Sequence, residues 1–240
     1  MNRILNEARI INTKIIRTTS FQRPFPTLFY YPGLSSKPWH DKNLFKFTRI
    51  FEENHEIIHK EYSNLKEVYK VNDYDSTTDK EHRLKEGKMN WIKLIDRGKR
   101  IKEVESLCPK TLKLINNIPE IATDITFVNT FFNRLAPNSE TERHTGPCNI
   151  KLRCCLSLSC PEESYLRVAS IPQKWNKGTL YIFDESYEHE EINLDNKKET
   201  ETLVFDIWHP DLALEEREAL KTIFKKMEEK IEKDTKKVNK

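Results

Sequence analysis

No apolar run in this chain approaches the eighteen residues that an ordinary membrane-spanning helix needs. Net charge is also scarce: 41 Lys and Arg face 38 Asp and Glu, leaving +3, so no global field calls for a nucleic-acid partner. Cysteine is sparse. Cys108, Cys148, Cys154, Cys155 and Cys160 form no CxxC pair and no even-numbered framework, which argues against a zinc knuckle or a disulfide scaffold and for a reduced compartment. The start of the chain lacks the apolar centre of a secretory signal. Up to Arg23 it sets Arg3, Arg9, Lys14, Arg17 and Arg23 against one acid, Glu7, the pattern of a basic tail over residues 1–27 or of a mitochondrial transit peptide over 1–23. The expectation is a soluble protein without integral membrane contact or nucleic acid, cytoplasmic, or mitochondrial if that segment is a targeting signal.

A chain of 240 residues suits one domain with a sizeable core. Phe47, Ile50, Phe51, Ile57, Ile58 and Leu65 recur at mostly helical spacing over residues 43–70, predicting a long helix outside a sheet. Residues 71–88 are polar and unpatterned and read as a loop. Residues 91–95 re-enter the fold, and 108–117 read as a capped helix with Leu112, Leu114 and Ile115 inward. From residue 125 the β-branched and aromatic content rises, predicting strands over 126–135, 150–158, 165–168, 179–183 and 202–208, hence a sandwich or barrel. Residues 214–240 read as a charged helix with Asp211 as its cap and a stripe of Leu220, Ile223 and Phe224.

Two features carry chemistry. His144 and His189 are good candidate ligands for Fe(II), and a pair of neutral imidazoles on neighbouring strands leaves coordination positions open. In residues 151–158, Leu152, Cys154, Leu156 and Leu158 alternate with Lys151, Arg153, Cys155 and Ser157, so one face is apolar and the other polar. The polar face suits a barrel interior that holds a carboxylate on the planar fork of Arg153; it equally suits a solvent-facing strand on which Arg153 is a surface charge. Two histidines are, by themselves, also compatible with unrelated surface or packed residues.

Three ordered blocks separate these readings: His144-Thr145-Gly146-Pro147 with Asn149 and Leu152-Arg153, then residues 178–190, then Phe205-Asp206-Ile207-Trp208-His209-Pro210. Together with Tyr31-Pro32-Gly33-Leu34 and Lys37-Pro38-Trp39 they resemble the aspartyl/asparaginyl β-hydroxylase family of Fe(II)- and 2-oxoglutarate-dependent oxygenases, over residues 28–213. The resemblance implies a mainly β fold with flanking helices, a double-stranded β-helix of jelly-roll, cupin-like type. It implies Fe(II) on His144 and His189, their ring nitrogens converging across the barrel mouth, with Gly146 where related oxygenases carry a carboxylate ligand. It implies 2-oxoglutarate beside Arg153 and hydroxylation of a carbon on a peptidyl Asp/Asn-type or other substrate, protein or small molecule. Asp184 and Glu188 are read as acids that orient ligands or cap turns, and Asp206 and His209 as groups fixing the last strand's end.

The chain departs from the family at three cosubstrate positions: Thr200 stands for an arginine, Cys155 for a histidine and Asn133 for a serine. Lys198, with Lys197 beside it, is the candidate to replace the lost cation. The alternative is a non-catalytic member, a binding or scaffold module whose cosubstrate site is degraded at Thr200 and Cys155. Family members of the secretory pathway carry a disulfide ahead of the first histidine; here only Cys108 lies there, so that bridge is expected to be absent.

Overall fold

A computed structural model describes residues 23–68, 74–75 and 83–238, of which 74–75 and 231–238 by backbone alone. The basic start up to residue 22 and most of the polar stretch beyond Val68 lie outside the described residues. In chain order the elements are β1 (Trp39–His40), α1 (Phe47–Glu53), α2 (His55–Val68), β2 (Tyr74–Asp75), β3 (Leu84–Glu86), β4 (Lys88–Asp96), β5 (Lys99–Arg100), α3 (Lys102–Glu105) and α4 (Pro109–Asn116). There follow β6 (Thr130–Leu135), β7 (Ser139–Thr141), β8 (Lys151–Ser159), β9 (Ser164–Val168), β10 (Ile171–Lys174), β11 (Leu180–Phe183), β12 (His189–Asn193), β13 (Thr200–Trp208) and α5 (Leu214–Val238).

The strands form two antiparallel sheets. The larger runs β1-β11-β8-β13-β6-β4-β2, with β5 on β4; the smaller runs β10-β9-β12-β7-β3. From β6 onward the chain passes back and forth between them, with β6, β8, β11 and β13 in the larger sheet and β7, the β9–β10 pair and β12 in the smaller, which makes the fold a double-stranded β-helix, the jelly-roll class expected. The period of two decides what each face meets. On β8, Leu152, Cys154, Leu156 and Leu158 join a core with Ile58, Tyr62, Leu65 and Ile115 under the helices, whereas Cys155 joins Phe131, Val168 and Val204 between the sheets. On β13 every residue is buried, because helices cover one face and the second sheet the other. Tyr62 stacks on Phe132 at 4.6 Å and Phe51 on Phe205 at 4.9 Å. Each such buried side chain contributes about 1.5–3 kcal/mol by leaving water.

Several expectations change. The helix predicted over residues 43–70 is two helices broken at Asn54, whose side-chain amide donates to Ile50 O and whose backbone N–H serves Ile50 and Phe51, ending α1. Ile50 and Ile57 are consequently exposed while Phe47, Phe51 and Ile58 are buried. Part of the predicted loop is strand, since β3 pairs with β7 and β2 with β4. The cap of α4 is Glu61 of α2, which accepts from the amides of Lys110 and Thr111 at 2.9 Å each; no local pattern reveals a cap supplied by another helix. Asp211 does not cap α5. It accepts from Ser35 N at 2.6 Å, and Glu216 reaches back to Ala213 N at 2.8 Å instead. On α5, Leu220 and Phe224 are buried but Ile223 is exposed. Cys154 and Cys155 are both buried and burial raises both thiols well above their ordinary pKa, so neither is poised to react; the barrel interior is as closed as the helix-covered face. All five cysteines are free thiols.

Candidate active site

His144 follows β7 and His189 opens β12, and the two strands meet there through an isolated antiparallel bridge. Each residue donates its amide to the other's carbonyl, at 3.1 and 2.8 Å. Such a pair places both side chains on one face of the sheet. The imidazoles therefore stand side by side as cross-strand neighbours, ring centroids 4.3 Å apart, rather than facing each other across the barrel mouth.

Their hydrogen bonds repeat. His144 Nδ1 bonds Glu142 O at 2.7 Å and His189 Nδ1 bonds Tyr187 O at 2.9 Å, each two residues back. Only a protonated Nδ1 satisfies a carbonyl, so both rings are held in the tautomer whose Nε2 lone pair is free. Burial lowers both pKa values, that of His189 strongly and with help from neighbouring His144, so both rings are neutral at pH 7. Two neutral, oriented, unshared Nε2 donors fit a divalent iron. Among the described residues no third His, Cys, Asp or Glu joins them as a ligand.

The pair opens on a cavity of about 260 Å³ that Arg153, Glu185, Glu191, Phe131 and Trp91 also line. Beneath it lies a buried charge cluster that the sequence reading missed. Lys151, with no exposed surface, pairs with Glu185 and, at 2.8 Å, with Asp206; Arg153 pairs with Glu185 at 2.6 Å and Asp206 at 3.2 Å. Lys151 Nζ and the Glu185 oxygens make no well-angled hydrogen bond besides, so charge more than direction holds the group. Desolvation opposes the Lys151 ammonium, but Asp206 and Glu185 outweigh it and hold its pKa above normal; desolvation likewise opposes the Glu185 carboxylate, and Arg153 and Lys151 outweigh it. Asp206 thus does more than fix a strand end: it also accepts from Asn129 N at 3.0 Å. His209 does sit at that end, bonded to Ser35 O.

Gly146 explains the missing carboxylate sterically. A Cβ there would lie 2.5 Å from both Cγ and Cδ of Glu185, so the position is open only to glycine while Glu185 holds its place. Gly146→Asp is therefore expected to displace Glu185 and not to add a ligand, with an overpacking cost of about 1–3 kcal/mol. Thermal unfolding with metal titration checks this: an unchanged melting temperature with tighter metal binding would refute it.

The other predicted positions separate. Arg153 lines the cavity and lies near the face of Phe131, its guanidinium carbon 6.0 Å from the ring centroid. Cys155 is part of the apolar interior. Thr200 is buried with its hydroxyl 2.5 Å from that of Ser164. Lys198, the candidate to replace the lost cation, does not line the cavity. It and Lys197 are exposed on the turn after β12, both amides donating to Asp195 Oδ1, a local turn that keeps them outside the barrel. Asn133 is buried and holds Glu191. Asp184 caps its own turn through Ser186 N, with burial raising its pKa to about 7, and Glu188 pairs with Arg167; neither lines the cavity.

Arg153 lines the cavity with the two histidines, although its carboxylate partners Glu185 and Asp206 already engage it. Ser157 and Thr202 have buried hydroxyls without hydrogen-bond partners and Thr200 is taken by Ser164, but none of the three lines the cavity. Arg83, Lys93 and Arg97 line the cavity as well, together with the acids Asp96 and Glu191. The two imidazoles fit a metal, whereas Thr200, the expected cosubstrate position, does not line the cavity.

Two antiparallel sheets rolled into a jelly-roll barrel, with helices on one outer face, define the structural class. Within it, the chain belongs to the aspartyl/asparaginyl beta-hydroxylase family, whose model matches residues 52–210. It is 31% identical over 234 residues to aspartate beta-hydroxylase domain-containing protein 2 of Xenopus tropicalis, covering 92% of this chain and 59% of that protein. It is 29% identical over 201 residues to human aspartyl/asparaginyl beta-hydroxylase, covering 82% of this chain and 26% of that protein. The chain thus spans less than two thirds of the length of these relatives. A solved structure, a Pseudomonas putida prolyl-4-hydroxylase, superposes with a TM-score of 0.40 and 14% identity over 66% of this chain and 87% of that one. No helix among the described residues is long and apolar enough to cross a membrane.

Proposed function

We propose that His144 and His189 bind Fe(II) through Nε2 and that the chain, over residues 28–213, is an iron-dependent hydroxylase of its family. The observation that carries this reading is the matched pair of Nδ1–carbonyl bonds, which leaves two neutral donors side by side on one wall of a cavity. Iron at such a site supplies the oxygen activation that hydroxylation of a carbon needs. The chain's own residues orient both imidazoles and keep water from the inner wall with Phe131 and Phe183. Arg153, fixed by Glu185 and Asp206, presents a positive surface beside the pair. The family's name points to a peptidyl Asp or Asn as substrate.

The second reading, a non-catalytic module, is favoured by one observation: the Thr200 hydroxyl is spent on Ser164 and does not line the cavity. Anaerobic titration with Fe(II), then with 2-oxoglutarate, followed by admission of oxygen and assay of succinate, decides between them. We expect one Fe(II) per chain, and 2-oxoglutarate bound one to two decades more weakly than a charge-assisted bond would allow, since such bonds contribute about 1.5–3 kcal/mol. Absence of Fe(II) binding would sink both the hydroxylase and its metal. Iron binding without succinate or oxygen consumption would leave the binding module.

A further inference from the structure

Four cations line this cavity against three acids, and they are not alike. Asp96 pairs with Lys93 at 3.0 Å and Glu185 with Arg153 at 2.6 Å, while Glu191 accepts from Asn133 Nδ2 at 2.9 Å. Arg83 and Arg97 are exposed, which puts them at the mouth, and among the described residues neither has a carboxylate partner. They come from different walls. Arg83 precedes β3 of the smaller sheet, its carbonyl accepting from Glu142 N, and Arg97 follows β4 of the larger. The Arg97 turn is pinned: its N–H donates to Asn129 Oδ1 at 3.1 Å, and that of Gly98 to Val128 O at 2.9 Å.

Both arginines have left-handed backbone, with φ of 57° and 49°. A Cβ crowds the following carbonyl in that region, so glycine, asparagine or aspartate fills it where the turn alone decides. Asp96 faces Lys99 across a two-residue hairpin in which Arg97 and Gly98 are both at positive φ, the turn for which Asn-Gly is the preferred pair. Backbone conformation thus gives no reason for arginine at either place, and no ion pair among the described residues supplies one. What remains is a pair of planar guanidinium forks, each matched to a carboxylate or phosphate, at the mouth of the cavity that the two imidazoles line.

We propose, on the reading of this cavity as the site of a peptide substrate, that Arg83 and Arg97 hold an anionic side chain, carboxylate or phosphate, flanking the residue that reaches His144 and His189. Both are specificity-determining residues, and the peptide they select carries negative charge a short distance from its reacting position.

The test uses the full chain, with and without Mn(II), and fluorescein-labelled peptides followed by anisotropy: Gly-Gly-Asn-Gly-Gly flanked on both sides by Asp, by phosphoserine or by Ser. The acidic peptides are expected to bind at least about fivefold more tightly than the serine peptide at low ionic strength, by a margin that shrinks as salt screens it. The tighter of the two identifies carboxylate or phosphate as the group held. Arg83→Asn combined with Arg97→Asn should bring all three peptides to equal affinity without lowering the melting temperature, because asparagine suits both backbone positions. Equal affinity for acidic and serine peptides in the wild type, or binding of none, would overturn the proposal without recourse to any variant. So would a preference that survives in the double variant, or one lost only along with a fall in melting temperature, which would give the arginines a structural role. Failure of Mn(II) to bind would refute the metal reading alone, because the peptides are also compared without it.

Discussion

Lys151→Met should cost about 3–5 kcal/mol of stability, the largest effect expected of a single substitution near the cavity. Lys151 has no exposed surface, and Glu185 and Asp206, its partners, are also fully buried. Methionine fills the aliphatic space but leaves two buried carboxylates sharing one guanidinium. Both acids are buried, so the unpaired charge is left largely desolvated. For a chain of this length the melting temperature should fall by roughly 6–20 °C. Glu185→Gln in the same chain should recover part of the loss by removing the orphaned charge. Scanning calorimetry at pH 7 on the two variants checks both statements. A Lys151→Met protein as stable as wild type would mean that the cluster is not closed to solvent.

His189→Ala should lower divalent-metal affinity by more than about 100-fold, since removing groups that merely orient a ligand already costs 10–100-fold. The same change is expected to be mild for the fold. Its main loss is the bond to Tyr187 O, whose unsatisfied carbonyl costs about 1–3 kcal/mol. His144→Ala should behave alike, with a smaller stability effect because His144 is only partly buried. Mn(II) titration followed by electron paramagnetic resonance separates affinity from folding. Unchanged Mn(II) affinity in both variants would exclude this pair as the metal site.

The sequence alone carried whatever depends on local period and on ordered motifs. Alternation in residues 151–158 told that Leu152, Cys154, Leu156 and Leu158 share a face against Arg153, Cys155 and Ser157, because side-chain direction in a strand has period two wherever the strand lies. The three motif blocks gave the family and the barrel class, and His144 and His189 were singled out before any geometry was known. Tertiary structure alone decided what fills the opposite side of each contact. The break at Asn54, the cap that Glu61 lends to α4 and the outward turn of Lys198 depend on partners far away in the chain or on a single turn, and periodicity records neither. Lys151 looked like any lysine on a polar strand face until β13 and the segment before β12 brought two carboxylates to it. Glu191 looked like one acid among several near His189. Only the closure of the barrel sets Asn133 and Trp91 opposite it, where the Asn133 amide donates to its carboxyl and burial raises its pKa to about 7.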